Sequence, residues 1–90
     1  MKYAEIIVIG KVQGVWFRDF VKRSAVRLNL NGWVKNNPDR SVSAAVEGEE
    51  EIINQLIDKI KIGSPLSKVE DVKVSWRPFE NIYNSFKILR

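Results

Sequence analysis

Asn31-Gly32-Trp33-Val34-Lys35-Asn36, the turn residues Asn37-Pro38-Asp39-Arg40, and Ser41-Val42-Ser43-Ala44-Ala45-Val46-Glu47 form one continuous stretch. It reads as a β-hairpin. Residues 31–36 make an outgoing strand, and Asn36-Asn37-Pro38-Asp39 is a strong turn signal. Residues 41–47 alternate, with Val42, Ala44 and Val46 on one side and Ser43, Ala45 and Glu47 on the other, as a return strand does.

Helices flank the hairpin on both sides. Before it, from about Arg18 to Asn29, the apolar residues Phe17, Phe20, Val21, Ala25 and Leu28 fall at helical spacing. Asn29 is a helix stop, because Asn tolerates the left-handed conformation. After the hairpin, Ile52, Ile53, Leu56, Ile57 and Ile60 mark one helical face. Glu49, Glu50 and Glu51 stand where the helix dipole favours negative charge, Lys59 and Lys61 where it favours positive charge, and Gly63 and Pro65 end the helix. That electrostatic role accounts for the glutamate run better than metal binding does.

Further out, the β-branched and apolar run of residues 3–9 reads as a buried strand. Val72, Val74 and Trp76 alternate with Lys73, Ser75 and Arg77 as another, and a short final strand passes through Phe86 and Ile88. The order is β-α-β-β-α-β plus a terminal strand. Two β-α-β units joined by a hairpin predict an α+β, ferredoxin-like sandwich: an antiparallel sheet with two helices on one face. At 90 residues the chain is expected to be one domain spanning 1–90.

Composition narrows the chemistry. Hydrophobic residues at 44% and charged residues at 29% suit an ordinary globular chain, and no apolar run is long enough to span a membrane. No secretory signal is visible, so a cytoplasmic location is expected. There is neither cysteine nor histidine. Disulfides, a cysteine nucleophile, a Ser-His-Asp triad, phosphohistidine and thiolate- or histidine-ligated metal are therefore excluded. The net charge of +4 suits an anionic partner, small or polymeric.

The place for an anion is the segment Gly10-Lys11-Val12-Gln13-Gly14-Val15-Trp16-Phe17-Arg18, between the first strand and the first helix. Two glycines permit unusual backbone angles, so successive amides can face one concavity. The helix N-terminus adds free N–H groups, and Arg18 can fold its planar fork of donors over them. The Gly-Lys-Ser/Thr ending of a nucleotide P-loop is missing. From residue types alone, two turn glycines and a solvated arginine are the commoner explanation of such a segment.

This segment closely resembles the acylphosphatase signature Gly-x-Val-Gln-Gly-Val-x-Phe-Arg. A second block, Gly32-Trp33-Val34-Lys35-Asn36, resembles that family's second motif, and Val46-Glu47-Gly48 and Gly63-Ser64-Pro65 extend the similarity over essentially the whole chain. The resemblance implies that Arg18 binds phosphate together with the loop Gln13, Gly14, Val15, Trp16 and Phe17. It also implies that Asn36 positions the attacking water; by itself Asn36 reads as a turn residue. Trp16 fills a variable position where it can narrow or shield the mouth. Arg40 replaces a frequent glycine in the hairpin turn, and Asn29 a frequent helix-ending one. The implied partner is a small acyl phosphate, hydrolysed by a monomer with no metal and no cofactor, no nucleic acid and no membrane.

Such a reaction asks little of a protein. The leaving carboxylate has a conjugate acid of pKa roughly 4, so no general acid is needed. The transition state is loose, with charge spread over the outer oxygens. Holding that charge and aiming a water are the main tasks. Two rivals remain at this level. A ferredoxin-like sheet can stack bases on exposed aromatics, with Trp33, Trp76 and Tyr3 as candidates, although the RNA-binding run Lys/Arg-Gly-Phe/Tyr-Gly/Ala-Phe-Val is absent. A non-catalytic anion-binding module is the other, since acylphosphatase-like domains also occur within larger carbamoyl-handling proteins; a domain standing alone favours an enzyme.

Overall fold

A computed structural model describes all 90 residues, Met1–Arg90. The elements are β1 (Lys2–Lys11), α1 (Phe17–Arg27), β2 (Asn31–Asn36), β3 (Val42–Gly48), α2 (Glu50–Ile62), β4 (Lys68–Pro78) and β5 (Phe86–Ile88). They build one five-stranded sheet in the order β4-β1-β3-β2-β5. The first four strands pair antiparallel, whereas β5 lies parallel to the outer side of β2. This is the expected ferredoxin-like α+β arrangement with its extra C-terminal strand.

Strand alternation places the core. Ala4, Ile6 and Val8 of β1, Val34 of β2, and Val42, Ala44 and Val46 of β3 face the helices. Phe17, Val21 and Ala25 of α1 and Ile53, Leu56, Ile57 and Ile60 of α2 meet them in one buried cluster. Burying side chains of this size contributes about 1.5–3 kcal/mol each, which is what holds two short helices on the sheet.

The strand β2 ends at Asn36 as expected, while several other boundaries differ from the sequence reading. Asn36 is still paired, opposite Val42, so the turn begins one residue later, at Asn37. The backbone N–H of Asn37 donates to Ser41 O at 2.9 Å, and its side-chain Nδ2 donates to the hydroxyls of Ser41 (2.9 Å) and Ser43 (2.6 Å). Arg40 takes the glycine-like conformation at φ 75. The strand β1 runs past residue 9 to Lys11, with a register shift between Ile9 and Gly10. Gly10 is thus a strand residue, and a Cβ there would stand 2.1 Å from Lys68 O. Close backbone approach, not a loop, requires the glycine. Finally, α1 begins at Phe17 and ends at Arg27. Asn29 closes it at φ 58, with Leu30 N–H donating back to Ala25 O at 3.0 Å, as a left-handed helix stop should.

The sheet face away from the helices is not left open. The chain between β4 and β5 crosses it, and Glu47 anchors that crossing. Only 4% exposed, its carboxylate accepts the backbone N–H groups of Glu80 and Asn81 on Oε2 and of Ile82 and Tyr83 on Oε1, at 2.9–3.3 Å. Burial alone would raise its pKa; the four amides outweigh burial and hold the carboxyl below its usual value. The hydroxyl of Tyr83 then meets the hydroxyl of Tyr3 at 3.1 Å and accepts the indole N–H of Trp33 at 3.0 Å.

Candidate functional site

The link from β1 to α1 carries two left-handed residues, Gly14 at φ 72 and Trp16 at φ 62. Gly14 adopts this freely; Trp16 does so at a cost of about 1–2 kcal/mol. Alternating left- and right-handed residues turn successive N–H groups toward one side. The amides of Gln13, Gly14, Val15 and Trp16 donate to no backbone acceptor, and α1 has no side-chain cap. The first-turn amides of Phe17, Arg18 and Asp19 have no intrahelical partner either. A helix start normally satisfies such donors with Ser, Thr, Asp or Asn. Here no group of the fold takes that place.

Gly14 and Trp16 of this loop and Phe17, Arg18 and Asp19 of the first turn line a cavity of about 430 Å³, together with Val12, Asn36, Ile88 and Arg90. Arg18 stands in the first turn of α1 with its guanidinium steadied by a long 3.4 Å contact from Nη1 to Leu89 O. Leu89 is itself fixed to β2, its N–H donating to Val34 O at 2.9 Å. The acidic side chain of the first turn, Asp19, is drawn into an ion pair with Arg23 at 2.9 Å, which offsets its repulsion of an anion.

Asn36 reaches the same cavity from β2. Gly32, Val34 and Asn36 share the helix-facing side of that strand. At the strand end, where the hydrophobic core stops, this position becomes a wall of the cavity. Its side chain makes no hydrogen bond within the fold, and Oδ1 is enclosed without a partner. The neighbouring Asn37 is fully engaged in the turn. One of two adjacent asparagines builds the hairpin; the other is left free in the site.

Among the loop residues expected to bind phosphate, Gly14, Trp16, Phe17 and Arg18 line the cavity directly. Val15 packs on the core and offers only its backbone. The side chain of Gln13 turns the other way: Nε2 donates to the carbonyls of Asn37 and Ser41, each at 2.8 Å. Gln13 therefore straps the loop to the hairpin that carries Asn36. Two features escaped the sequence reading, the Leu89 carbonyl behind Arg18 and a second guanidinium, Arg90, in the cavity wall. Both depend on β5 pairing beside β2, for which the sequence carries no local signal.

The family model named Acylphosphatase matches residues 4–88. The acylphosphatase of Thiobacillus denitrificans is 44% identical over 87 residues, covering 97% of this chain and 96% of that protein. The chain belongs to the acylphosphatase family. Its fold agrees with the crystal structure of the acylphosphatase from Bacillus subtilis at a TM-score of 0.97, with 40% identity and full coverage of both chains. HypF in its phosphate- and nucleotide-bound form contains a similar unit, with a TM-score of 0.90 and 37% identity over 99% of this chain but only 12% of HypF. Acylphosphatases are hydrolases, and membership places the chain among enzymes.

Proposed function

We propose that this member of the acylphosphatase family hydrolyses the carboxyl-phosphate bond of small acyl phosphates, with Arg18 and Asn36 as the catalytic residues. The single observation that carries the assignment is the convergence on one cavity of unpaired loop and helix amides, a guanidinium and a carboxamide with no internal partner.

The phosphate dianion caps α1, accepting from the amides between Gln13 and Arg18, while Arg18 closes over it as a two-pronged donor. The carboxamide of Asn36, free to turn about its terminal torsion, accepts a hydrogen bond from a water. That leaves a lone pair of the water aimed at phosphorus. The water oxygen forms a new P–O bond as the bridging P–O bond breaks, and the bonding pair leaves with the carboxylate. One water proton stays on the new phosphate hydroxyl; the other passes to a phosphate oxygen or to solvent. The amides and Arg18 stabilise the charge on the outer oxygens. A phosphate ester, with its far more basic leaving group, is expected to be a poor substrate.

The same reading takes residues 1–90 as one domain acting as a cytoplasmic monomer without a cofactor. The single cluster of core side chains supports the one-domain reading, and a leaving group that needs no acid supports chemistry without a cofactor. No helix is long and apolar enough to cross a membrane. The nucleic-acid reading has less support, because Tyr3 and Trp33 are engaged with Tyr83 under the crossing chain. The test is phosphate release from benzoyl phosphate without added metal. Arg18→Ala is expected to stay folded and to lose at least about a hundredfold in kcat/KM; near wild-type turnover would refute the assignment.

A further inference from the structure

We infer that the indole of Trp16 is the acyl-group platform of this site and selects flat apolar acyl phosphates, aroyl phosphates above all. The inference rests on the acyl phosphate hydrolysis proposed above.

Nothing in folding accounts for a tryptophan at this position. It is 78% exposed, so it adds little to the core. It holds the left-handed conformation at φ 62, which a residue with a side chain adopts reluctantly. It occupies the N-cap of α1, where a short polar side chain is preferred, and it provides no cap. Its indole N–H donates to nothing in the fold, whereas that of Trp33 is bonded to Tyr83. A solitary exposed apolar residue elsewhere would need no explanation. This one stands in the wall of the cavity that holds Arg18 and Asn36.

Exposure gives the indole its place in the reaction. Asn36 is half-buried, with Oδ1 enclosed. Trp16 is the most exposed of the apolar lining residues. In-line displacement puts the leaving group opposite the entering water. An acyl group of any size has to leave the cavity on its solvent side, where Trp16 stands exposed, with Ile88 as a second apolar lining residue. Of the charged residues in the wall, Arg18 serves the phosphate and Asp19 is paired with Arg23, which leaves Arg90 as a point charge with no broad face to offer an acyl group. What remains to discriminate between acyl groups is a broad aromatic face, which favours a flat ring through stacking and burial.

The experiment compares kcat/KM for benzoyl phosphate and acetyl phosphate in the unaltered chain, Trp16→Ala and Trp16→Phe. Both variants keep a side chain on a left-handed backbone, and any loss common to both substrates cancels in the ratio. The benzoyl-to-acetyl ratio is expected to fall about fivefold in Trp16→Ala, mostly through KM, and to recover in Trp16→Phe. An unmoved ratio in Trp16→Ala, or an equal fall in Trp16→Phe, would overturn the platform. If Trp16→Ala does not fold, benzylphosphonate and methylphosphonate can compete against acetyl phosphate on the unaltered chain. The first should bind about fivefold more tightly, and equal binding overturns the inference. Absence of phosphate release from both substrates by the unaltered chain would sink the reaction itself and the platform with it; release with an unmoved ratio would sink the platform alone.

Discussion

Asn36 and Asn37 are chemically identical neighbours with opposite fates. The amide of Asn37 donates to the hydroxyls of Ser41 and Ser43, and its backbone carbonyl accepts from Arg40 N–H and from Gln13. Asn36 makes no side-chain hydrogen bond and encloses an unpartnered oxygen. Such an oxygen costs about 1–3 kcal/mol of stability. At a cavity wall, a water or ligand that donates to this oxygen would remove that cost. Asn36→Ala removes the unpaired oxygen along with its function. The denaturation midpoint should stay level or rise, by up to about 1 kcal/mol of stability. Turnover of benzoyl phosphate should fall about a hundredfold, with inorganic phosphate binding changed far less. Lost phosphate affinity with normal turnover at saturation would contradict the water-positioning role.

At the scale of elements, the site depends on keeping the β1–α1 loop in register with the β2–β3 hairpin. Gln13 is the strap, with one nitrogen donating to two hairpin carbonyls at 2.8 Å. Its test separates donor from shape. Gln13→Glu keeps the size but sets a charged acceptor against two carbonyls, so it should lose at least as much as Gln13→Leu. Each is expected to lose about 1–2 kcal/mol in urea denaturation. The loosened loop should also lower kcat/KM about tenfold, because small displacements of aimed donors are costly. Normal kinetics in a destabilised Gln13→Leu would show that the strap serves stability alone.

Across the whole molecule, the chain from Phe79 to Ser85 ties the far face of the sheet to the site. Glu47 holds the crossing by four amides, β5 then pairs with β2, and Leu89 meets Arg18. This long tie predicts acid sensitivity. An unfolded glutamate titrates near 4.3, and folded Glu47 titrates lower. Its stabilisation is therefore fully present above the unfolded value and is lost as pH falls through the folded one. Denaturant midpoints recorded from about pH 2 to 7 should drop on the acid side of that window. Glu47→Gln should flatten the drop and lower stability at neutral pH by about 2–3 kcal/mol, since two backbone donors lose their acceptor. An unchanged acid limb in Glu47→Gln would rule out the carboxylate as its source.

The hairpin, both helices and the succession of elements along the chain were legible in the sequence because each rests on local signals: alternation in β3, helical spacing from Ile52 to Ile60, an Asn-Pro-Asp turn. The loop motif and Arg18 were legible through a long contiguous resemblance. Asn36 was legible only in part. Its alternation with Gly32 and Val34 puts it on the helix side, but the turn signal claimed it as well. Tertiary structure alone decided that β5 lies parallel to β2, that the carboxylate of Glu47 is buried among amides, that Gly10 is needed for Lys68 to approach, and that Leu89 and Arg90 join the site. Each of these joins segments far apart in the chain. Periodicity and turn chemistry report what a residue prefers beside its neighbours, whereas the partner of a buried charge or an edge strand is set by which surfaces the packed core brings together.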